Sequence, residues 1–450
     1  MKIKRLLKGA LLTLTAFAGG AATSMVSGHR AEATPRDASP YTAIGQLGRV
    51  LVEIENDYVE PVDRTKLVNG AISGMVASLD PHSAYMPPQD FQAFESDTEG
   101  KFGGVGIEVE VRDETLVVMS PIEGSPAERA GIRPGDRIVA IDGVDAIGAA
   151  LDKVVRRMRG AAGTHVKLTV KREGTPQLLV FDLAREEIHV PSVAARMLDG
   201  DIAYVRVKQF QDHTHDELLA AAARLRKESG DHIMGVVLDL RNDPGGLVDE
   251  SAEVADEFLS TGTIYTTRHR GETVDDVRAK SGGAFADVPV VALVNEYTAS
   301  AAELVTGALQ DNKRATVVGA NTFGKGSVQA ILGLPGGAGL RLTIARYYTP
   351  SGHAIQGDGV HPDVVVESTR VDTPTQPVVR ERDLEGALAP EGAQKKEDAP
   401  KTPASAGSAT GPDDTMRSDA RNVPRDPKRG TDFVLKMGYQ ILRARIAQKP

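Results

Sequence analysis

The 450-residue chain contains no cysteine and no tryptophan, and aromatic residues make up only 4% of it. The absence of cysteine excludes a thiol nucleophile, disulfide bonds and cysteine-based zinc sites. None of the ten histidines lies in an HExxH pattern, so the sequence does not support a metalloprotease of the zincin type. We therefore expect neither a metal nor another cofactor.

Basic residues are also in the minority. The 53 lysines and arginines are outnumbered by 62 acidic residues, which leaves a net charge of −9 and a pI near 5.7. This balance argues against nucleic acid as a partner. A hydrophobic content of 41% is enough for two or more cores, and because aromatics are scarce, aliphatic side chains must fill them.

The first 33 residues have the features of an export signal. A basic region precedes a mostly apolar stretch at Ala10–Ala22 and an A-x-A cleavage pattern at Ala31–Ala33. The basic residues are Lys2, Lys4, Arg5 and Lys8. The apolar stretch is short and broken by glycine, which disfavours a membrane span, and an uncleaved anchor is the alternative. We expect an exported protein of the periplasm or cell envelope, and peripheral membrane association is compatible with this.

The stretch from Val290 to Gln329 contains residues suited to covalent catalysis. Ser300 lies between an apolar strand and a helical pattern, where unpaired N–H groups favour developing negative charge. A serine hydroxyl needs a base, and a lysine can serve only when burial lowers its pKa from ~10.4 towards ~7–8. Lys325, between two glycines, is the candidate base. Gln329 alternates with it along a predicted strand and could orient its amine.

Two alternatives compete with this hypothesis. Ser300 and Glu303 form a capping box, which starts many helices without any chemistry. The segment Gly319–Lys325 matches the first seven positions of a phosphate-binding P-loop, which would make the chain an NTP-binding protein. However, Gly326 stands where a P-loop needs serine or threonine to hold magnesium.

Three long segments bear on this choice. They are DLRNDPGGLVDE (239–250), TASAAELVTGALQDNKRATVVGANTFGKGSVQ (298–329) and ARYYTPSGHAIQGDGVHPDVVVE (345–367). All three resemble the C-terminal processing, or tail-specific, proteases, and this resemblance favours catalysis. The resemblance extends from about Tyr41 to about Glu367. Tyr297 departs from it, since a small residue is expected there.

The resemblance implies roles for five residues. Ser300 would be the nucleophile, Lys325 the general base and Gln329 its orienting partner. The oxyanion hole would be formed by the backbone N–H groups of Ala301 and of a glycine in the turn 244–246, where Gly246 is favoured over Gly245. Each N–H group would contribute ~3–4 kcal/mol to transition-state stabilisation.

Two histidines are further candidates. His82 lies in the segment DPHSAYM (80–86), which also recurs in this family, and His353 could act as the base of a Ser-His-Asp hydrolase. A loop histidine beside a proline is more often structural, and Lys325 already has the spacing of a base. We expect both histidines to be structural.

Residues 99–186 resemble a PDZ domain, the module that captures free C-termini. Gly103, Gly104, Val105, Gly106 and Ile107 would form its carboxylate-binding loop and the start of the strand that accepts a substrate tail. A helix with apolar residues at 151, 154, 155 and 158 would form the other wall of the groove. Arg159, at the end of this helix, is a candidate regulatory contact to the catalytic part, or simply a charge that offsets the helix dipole.

The predicted fold is an α/β (α+β) catalytic core of the C-terminal processing protease type, with an inserted PDZ domain and helical segments at both ends. Low apolar content after residue 369 predicts a linker, in which 384–388 could form a transient helix. A final helix is predicted with Phe433, Met437, Ile441 and Arg445 along one face and Val434 and Leu442 beside it, docked on a core or a second subunit. The predicted regions are a signal peptide (1–33), an N-terminal helical segment (34–98), the PDZ domain (99–186), the protease core (187–368), a disordered linker (369–431) and a C-terminal helix (432–450).

Together these features predict an exported serine endopeptidase that recognises the C-terminal tail of protein substrates and cuts near it. Expected partners are proteins with free apolar C-termini, an adaptor protein and further copies of the chain. The alternative is a catalytically silent PDZ scaffold in the cell envelope.

Overall fold

The structure, a computed structural model, describes residues 40–112, 114–366, 378–390 and 423–448. The predicted signal peptide (1–33) lies outside these residues. The chain divides into two compact units, of which the first ends at Ile72.

Nine α-helices lie in the described part of the chain. They are α1 (Pro40–Asp57), α2 (Arg64–Ala77), α3 (Pro88–Thr98), α4 (Pro126–Arg129), α5 (Leu151–Met158), α6 (Thr214–Ser229), α7 (Val248–Asp256), α8 (Ala301–Asp311) and α9 (Phe433–Gln448). Short 3₁₀ turns occur at Glu381–Asp383 and Pro427–Arg429.

The strands number nineteen over the same residues. They are β1 (Ala84–Met86), β2 (Lys101–Gly104), β3 (Ile107–Arg112), β4 (Thr115–Pro121), β5 (Arg137–Ile141), β6 (Val144–Asp145), β7 (His165–Lys171), β8 (Leu179–Ala184), β9 (Glu186–His189), β10 (Val193–Leu198), β11 (Ile202–Val207), β12 (Gly235–Asp239), β13 (Thr263–His269), β14 (Glu272–Arg278), β15 (Val290–Val294), β16 (Ala315–Gly319), β17 (Ser327–Gly333), β18 (Gly339–Tyr348) and β19 (Val364–Val365).

The central sheet of the core has the order β10-β11-β12-β15-β16-β19, parallel except for β10. Strands β11, β12 and β15 are buried along their whole length, as expected for a parallel sheet covered on both faces. Because the strands follow one another in chain order, right-handed crossovers place helices α6, α7 and α8 on one face. These helices pack there against Val205, Leu238 and Ala292.

The C-terminal helix α9 covers the opposite face. Its residues Val434, Leu435, Tyr439 and Leu442 join the alternate side chains of the same strands in a second core. The approach is so close that a Cβ added to Gly438 would lie 2.5 Å from Leu293. The helix thus docks on the core, but the predicted face is rotated, since Phe433 is 55% exposed.

An ion network that includes the buried Asp239 fixes the start of α9. The Arg241 guanidinium donates to the carboxylates of both Asp239 and Asp432, and Asp432 accepts from the Leu435 N–H in the first turn of the helix. The Tyr204 hydroxyl donates to Asp239 over 2.7 Å. Burial acts to raise the pKa of Asp239, but Arg241 outweighs this and the pKa falls to about 2.

A second sheet carries the segment that follows Lys325. Its order is β1-β18-β13-β14, and β17 also pairs with β18. Strand β1 belongs to the DPHSAYM segment, which the sequence predicted only as the end of a helical region.

The PDZ domain forms a separate sheet of order β3-β4-β5-β7-β8, with β6 paired to β5. Its core includes Leu116, Ile138, Val154, Met158 and Leu168. Helix α5 occupies the predicted residues. Among the strands that the structure describes, β3 pairs only with β4, so β3 is an edge strand.

Parts of the predicted linker are ordered. Residues 378–390 carry a 3₁₀ turn with Glu381 fully buried, and residues 423–430 carry another beside the buried Val423. This differs from the disordered linker predicted over 369–431. That prediction was based on low apolar content, which does not reveal segments that dock through polar contacts. The remainder of that range lies outside the described residues.

Two kinds of feature are absent from the described residues. No helix there has the length and apolarity needed to cross a membrane. No group of three or more histidine, aspartate or glutamate side chains there is arranged to hold a metal ion.

We predict that Leu442→Ala lowers the free energy of unfolding of the core by about 2–5 kcal/mol, because it leaves a cavity beneath a fully buried side chain. Phe433→Ala, on the same helix but exposed, should change it by less than about 1 kcal/mol. Urea unfolding followed by far-UV circular dichroism measures both. Equal effects would contradict the docking of α9.

Candidate active site

Three chain segments meet at the carboxyl ends of the parallel strands β12, β15 and β16. They are residues 240–246, 295–300 and 320–326. In open α/β sheets, ligands and catalytic groups commonly lie at this edge, where successive turns can approach one another.

Hydrogen bonds join the first two segments. The Asn295 side chain accepts from the Asn242 N–H and donates to the Asn242 side chain, over 2.9 and 2.7 Å. The Ala299 N–H donates to the Asp243 carbonyl. The turn containing Gly245 and Gly246 is thereby held beside Ser300.

Ser300 has an unusual backbone conformation. It precedes the first residue of helix α8 with φ of 54° and ψ of −118°, a region that non-glycine residues rarely adopt. Such strain persists only where the surroundings impose it, and it commonly marks functional sites. Ser300 is 8% exposed.

The buried carboxylate of Glu303 joins Ser300 to the lysine segment. Its Oε2 accepts from the backbone N–H of both Ser300 (2.8 Å) and Lys325 (2.9 Å). Its Oε1 accepts from the Gly324 N–H (2.7 Å) and from the Thr322 hydroxyl. One carboxylate oxygen is therefore shared by the two residues predicted to act together.

Glu303 has a strongly shifted pKa. Full burial raises it to about 7, although the four donors favour the ionised form and act against this rise. The capping box predicted from the sequence thus supplies the glutamate that fixes the geometry of the site, and the two interpretations of Ser300 are compatible.

Lys325 lies in the irregular segment before β17, not on the strand as predicted. Burial lowers its pKa to about 8, and Arg341 adds to this. The carboxylates of Glu381, Glu303 and Asp80 act in the opposite direction. At this pKa a substantial fraction of the amine is neutral near physiological pH, as a base requires.

Gln329 lies at a β-bulge between β17 and β18. Its Nε2 donates to the Ser327 hydroxyl (2.9 Å) and the Thr343 hydroxyl (3.3 Å). Thr343 gives its only hydroxyl proton to Asp80 (3.0 Å), so it must accept from the amide nitrogen. Burial acts to raise the pKa of Asp80, but hydrogen bonds led by that of the Ser83 hydroxyl lower it, so Asp80 stays an acceptor. The Gln329 Oε1 is therefore left to accept from an amine.

The turn Pro244–Gly246 lies against the serine. A Cβ added to Gly245 would be 2.8 Å from both the Ser300 Cβ and the Ala301 nitrogen, and its φ of 94° also favours glycine. The Gly245 N–H already donates to the Asp243 side chain. Among the described residues the Gly246 N–H donates to no other group, and the Ala301 N–H belongs to the first helical position, where no intrahelical acceptor exists.

The predicted carboxylate-binding loop of the PDZ domain connects two strands of different sheets. Gly103 and Gly104 lie in β2, paired with β9, while Ile107 begins the edge strand β3. Gly106 has a φ of 73°, and a Cβ on it would overlap Ser125. Val105 lies between them and is buried.

Arg159 contacts this loop in the structure. Its guanidinium lies 4.6 Å from the centre of the Phe102 ring and donates to Asp97 of α3 over 3.0 Å. Phe102 lies in β2, at the start of the PDZ loop, and Asp97 lies in α3, the helix before it. The predicted regulatory contact with the catalytic core therefore stays a prediction.

Both candidate histidines have other partners. His353 lies 3.0 Å from the Gly359 carbonyl, and His82 lies 2.7 Å from the Glu381 carboxylate. The P-loop alternative fails because the segment after Lys325 forms strand β17, whereas a P-loop opens a helix there.

Family models match most of the described chain. Peptidase family S41 matches residues 201–366, a PDZ domain matches 117–172, and the activating protease CtpB N-terminal domain matches 17–89. The fold and site thus define a peptidase core joined to a peptide-binding module.

Individual relatives specify the class further. The carboxy-terminal-processing protease of Bartonella bacilliformis is 40% identical over 418 residues, covering 92% of this chain and 91% of the relative. The carboxyl-terminal-processing protease of Synechocystis sp. is 41% identical over 304 residues, covering 66% of this chain and 70% of the relative. A solved photosystem II D1 C-terminal processing protease is 33% identical, with 72% of this chain and 87% of that chain covered and a TM-score of 0.44.

The chain belongs to the carboxy-terminal-processing proteases of peptidase family S41, and it is a serine-type peptidase with a PDZ domain. The sequence pattern did not assign roles to Asp80 and Glu381, whose charges act on the lysine, or to Thr343, which joins Asp80 to Gln329. Their signal was weak, since they lie far from Lys325 in the chain and only the recurrence of DPHSAYM pointed to one of them.

We predict that Glu303→Gln lowers kcat by about 100-fold with a smaller effect on KM, because an amide cannot accept from all four donors and the two segments shift apart. Steady-state cleavage of a tailed peptide measures the split. Glu228→Gln, exposed on α6, is the control. A wild-type kcat for Glu303→Gln would show that the shared carboxylate does not position the site.

Proposed function

We propose that the protein is an exported serine endopeptidase that hydrolyses protein substrates near their C-termini with a Ser300–Lys325 dyad. The observation that carries this proposal is the Glu303 oxygen shared by the Ser300 and Lys325 N–H groups. It fixes a serine at a strained turn beside a lysine whose pKa is lowered to about 8.

The chemistry follows from these positions. Neutral Lys325 takes the proton of the Ser300 Oγ as that oxygen attacks the substrate carbonyl carbon. The N–H groups of Gly246 and Ala301 bind the oxyanion of the tetrahedral intermediate. The lysine ammonium then protonates the leaving amine, and the resulting acyl-enzyme is hydrolysed by a water that Lys325 deprotonates in turn.

Gln329 orients the base in this scheme. Its Oε1 accepts from the lysine amine, because its Nε2 is committed to Ser327 and Thr343. An amine held by one acceptor keeps its lone pair directed at the serine proton for a larger fraction of the time.

The PDZ domain supplies tail recognition. An extended C-terminal peptide adds to the edge strand β3, and its carboxylate is bound by backbone N–H groups of the loop from Gly103 to Ile107. Apolar tails fit the groove, since Ile107 and Val109 of β3 and Val155 of α5 are only partly buried.

Export and assembly complete the proposal. Residues 1–33 direct the chain to the periplasm or cell envelope, where its substrates are proteins with free apolar C-termini. An adaptor protein and self-association remain part of the expectation from the family resemblance.

We predict that Ser300→Ala and Lys325→Ala each lower kcat/KM by at least ~10⁴-fold while the fold is kept, because each removes an obligatory group of one catalytic unit. Cleavage of an unfolded reporter with an apolar tail, followed by mass spectrometry, measures this. Ser260→Ala and Lys227→Ala, both exposed, are matched controls.

Each result of that experiment has a distinct meaning. Full activity of Lys325→Ala would refute the lysine base and return attention to His353. An inert wild type that still binds tails would favour the silent scaffold.

We predict that amidation of the substrate C-terminus raises KM by roughly 10–100-fold with little change in kcat, because charge-assisted hydrogen bonds to the terminal carboxylate are lost. The two peptides are otherwise identical, so the difference isolates the carboxylate. Equal kcat/KM values for the free and amidated peptides would remove the PDZ domain from substrate selection.

A further inference from the structure

Residues 378–390 return to the catalytic core after a gap in the described chain and contact the loop that carries Lys325. The Arg380 guanidinium donates to the carbonyls of Asn321 (2.7 Å) and Thr322 (2.6 Å). The Glu381 N–H donates to the Phe323 carbonyl (3.3 Å). The segment therefore covers the loop on the side that precedes the lysine.

The Glu381 side chain reaches the other side of the same loop. It is fully buried, and its Oε1 accepts from the Gln356 Nε2 over 2.9 Å. The other end of that amide, Gln356 Oε1, accepts from the Gly326 N–H over 3.0 Å. Glu381 is thus linked to the residue after Lys325 through one side chain and to Phe323 directly.

A third contact ties Glu381 to the N-terminal part of the core. The His82 Nε2 lies 2.7 Å from its Oε2, so both carboxylate oxygens have partners. His82 belongs to the DPHSAYM segment, whose Asp80 orders Thr343 and, through it, Gln329. Two distant parts of the chain therefore meet around the lysine.

The charged side chains around Lys325 act on it in opposite directions. Arg341 repels its ammonium form, whereas Glu303, Glu381 and Asp80 attract it. Glu303 is occupied by four donors, and Asp80 is bound to hydroxyl and backbone groups. Glu381 comes from beyond residue 366, where the family model of the peptidase ends.

We propose that Glu381 is a positioning residue of the dyad, which fixes the loop 321–326 and stabilises the lysine ammonium that forms when Ser300 loses its proton. This inference rests on the proposed Ser300–Lys325 mechanism. It assigns to Arg380 and Glu381, which lie in the segment predicted as a linker, a share in positioning the catalytic residues.

Glu381→Gln separates charge from contact. Its amide oxygen can accept from Gln356, and its amide nitrogen can donate to His82 once the histidine moves its proton to Nδ1. Both hydrogen bonds are kept and only the negative charge is lost. Glu385→Gln, exposed in the same segment, is the matched control.

Two measurements test the role. The first is the pH profile of kcat/KM, in which activity should rise as Lys325 loses its proton. The second is the pH dependence of amine labelling at Lys325 in a Ser300→Ala background, measured by mass spectrometry without any need for activity. Loss of a nearby negative charge favours the neutral amine, so Glu381→Gln should move both profiles to lower pH by roughly 0.5–1 unit. It should also lower kcat by about 10-fold.

Unchanged labelling and pH profiles, with Glu381→Gln behaving as Glu385→Gln does, would overturn the proposal. Arg380→Gln is the second variant if Glu381→Gln does not fold. It releases the segment from the loop, and it should lower kcat several-fold and speed labelling of Lys325, whereas wild-type values for both would also overturn the proposal. If Ser300→Ala or Lys325→Ala remains active, the dyad itself fails, and the labelling experiment still reports the effect of Glu381 on the lysine.

Discussion

The site depends on a buried carboxylate that accepts from two chain segments at once. Glu303 begins as an ordinary capping residue of helix α8, three positions after Ser300. The N–H groups of the lysine segment donate to the same carboxylate oxygens. The glutamate thus supplies an acceptor to backbone N–H groups of both segments, which would otherwise be buried without one. Ser300 and Lys325 are therefore related by a rigid helix turn and not by two independent loops.

The supporting layers explain why that geometry can be maintained. The parallel sheet places three turns at one edge, and helices α6, α7 and α8 on one face and α9 on the other leave the strands no room to shift. The second sheet contributes Gln329 and Thr343 from paired strands. Because the Thr343 hydroxyl donates to Asp80, it accepts from the Gln329 Nε2 and thereby fixes the orientation of the Gln329 amide. The surroundings of Ser300 and those of Gln329 thus come from different layers of the fold.

The sequence was informative where chemistry and local pattern coincide. Ser300, Lys325 and the glycine turn at 244–246 could be proposed from their motifs, and the alternation of strands and helices predicted the core. The position of Lys325 before β17 could not be predicted, because apolar spacing does not distinguish an irregular segment from a strand when glycines flank it. The ordering of residues 378–390 was also missed, since it depends on polar contacts with residues such as His82, about 300 positions away.

The placement of α9 bears on the order in which the layers of the core can assemble. One face of the central sheet is covered by the last described helix of the chain, and Arg241, near the glycine turn, is paired with Asp432 at its start. The Arg241–Asp432 pair joins residues that are 191 positions apart in the chain, so this face of the sheet is covered only after a long stretch of chain has closed on itself. Because the closure of so long a loop costs conformational entropy and is slow, we expect the docking of α9 to be a late step in folding.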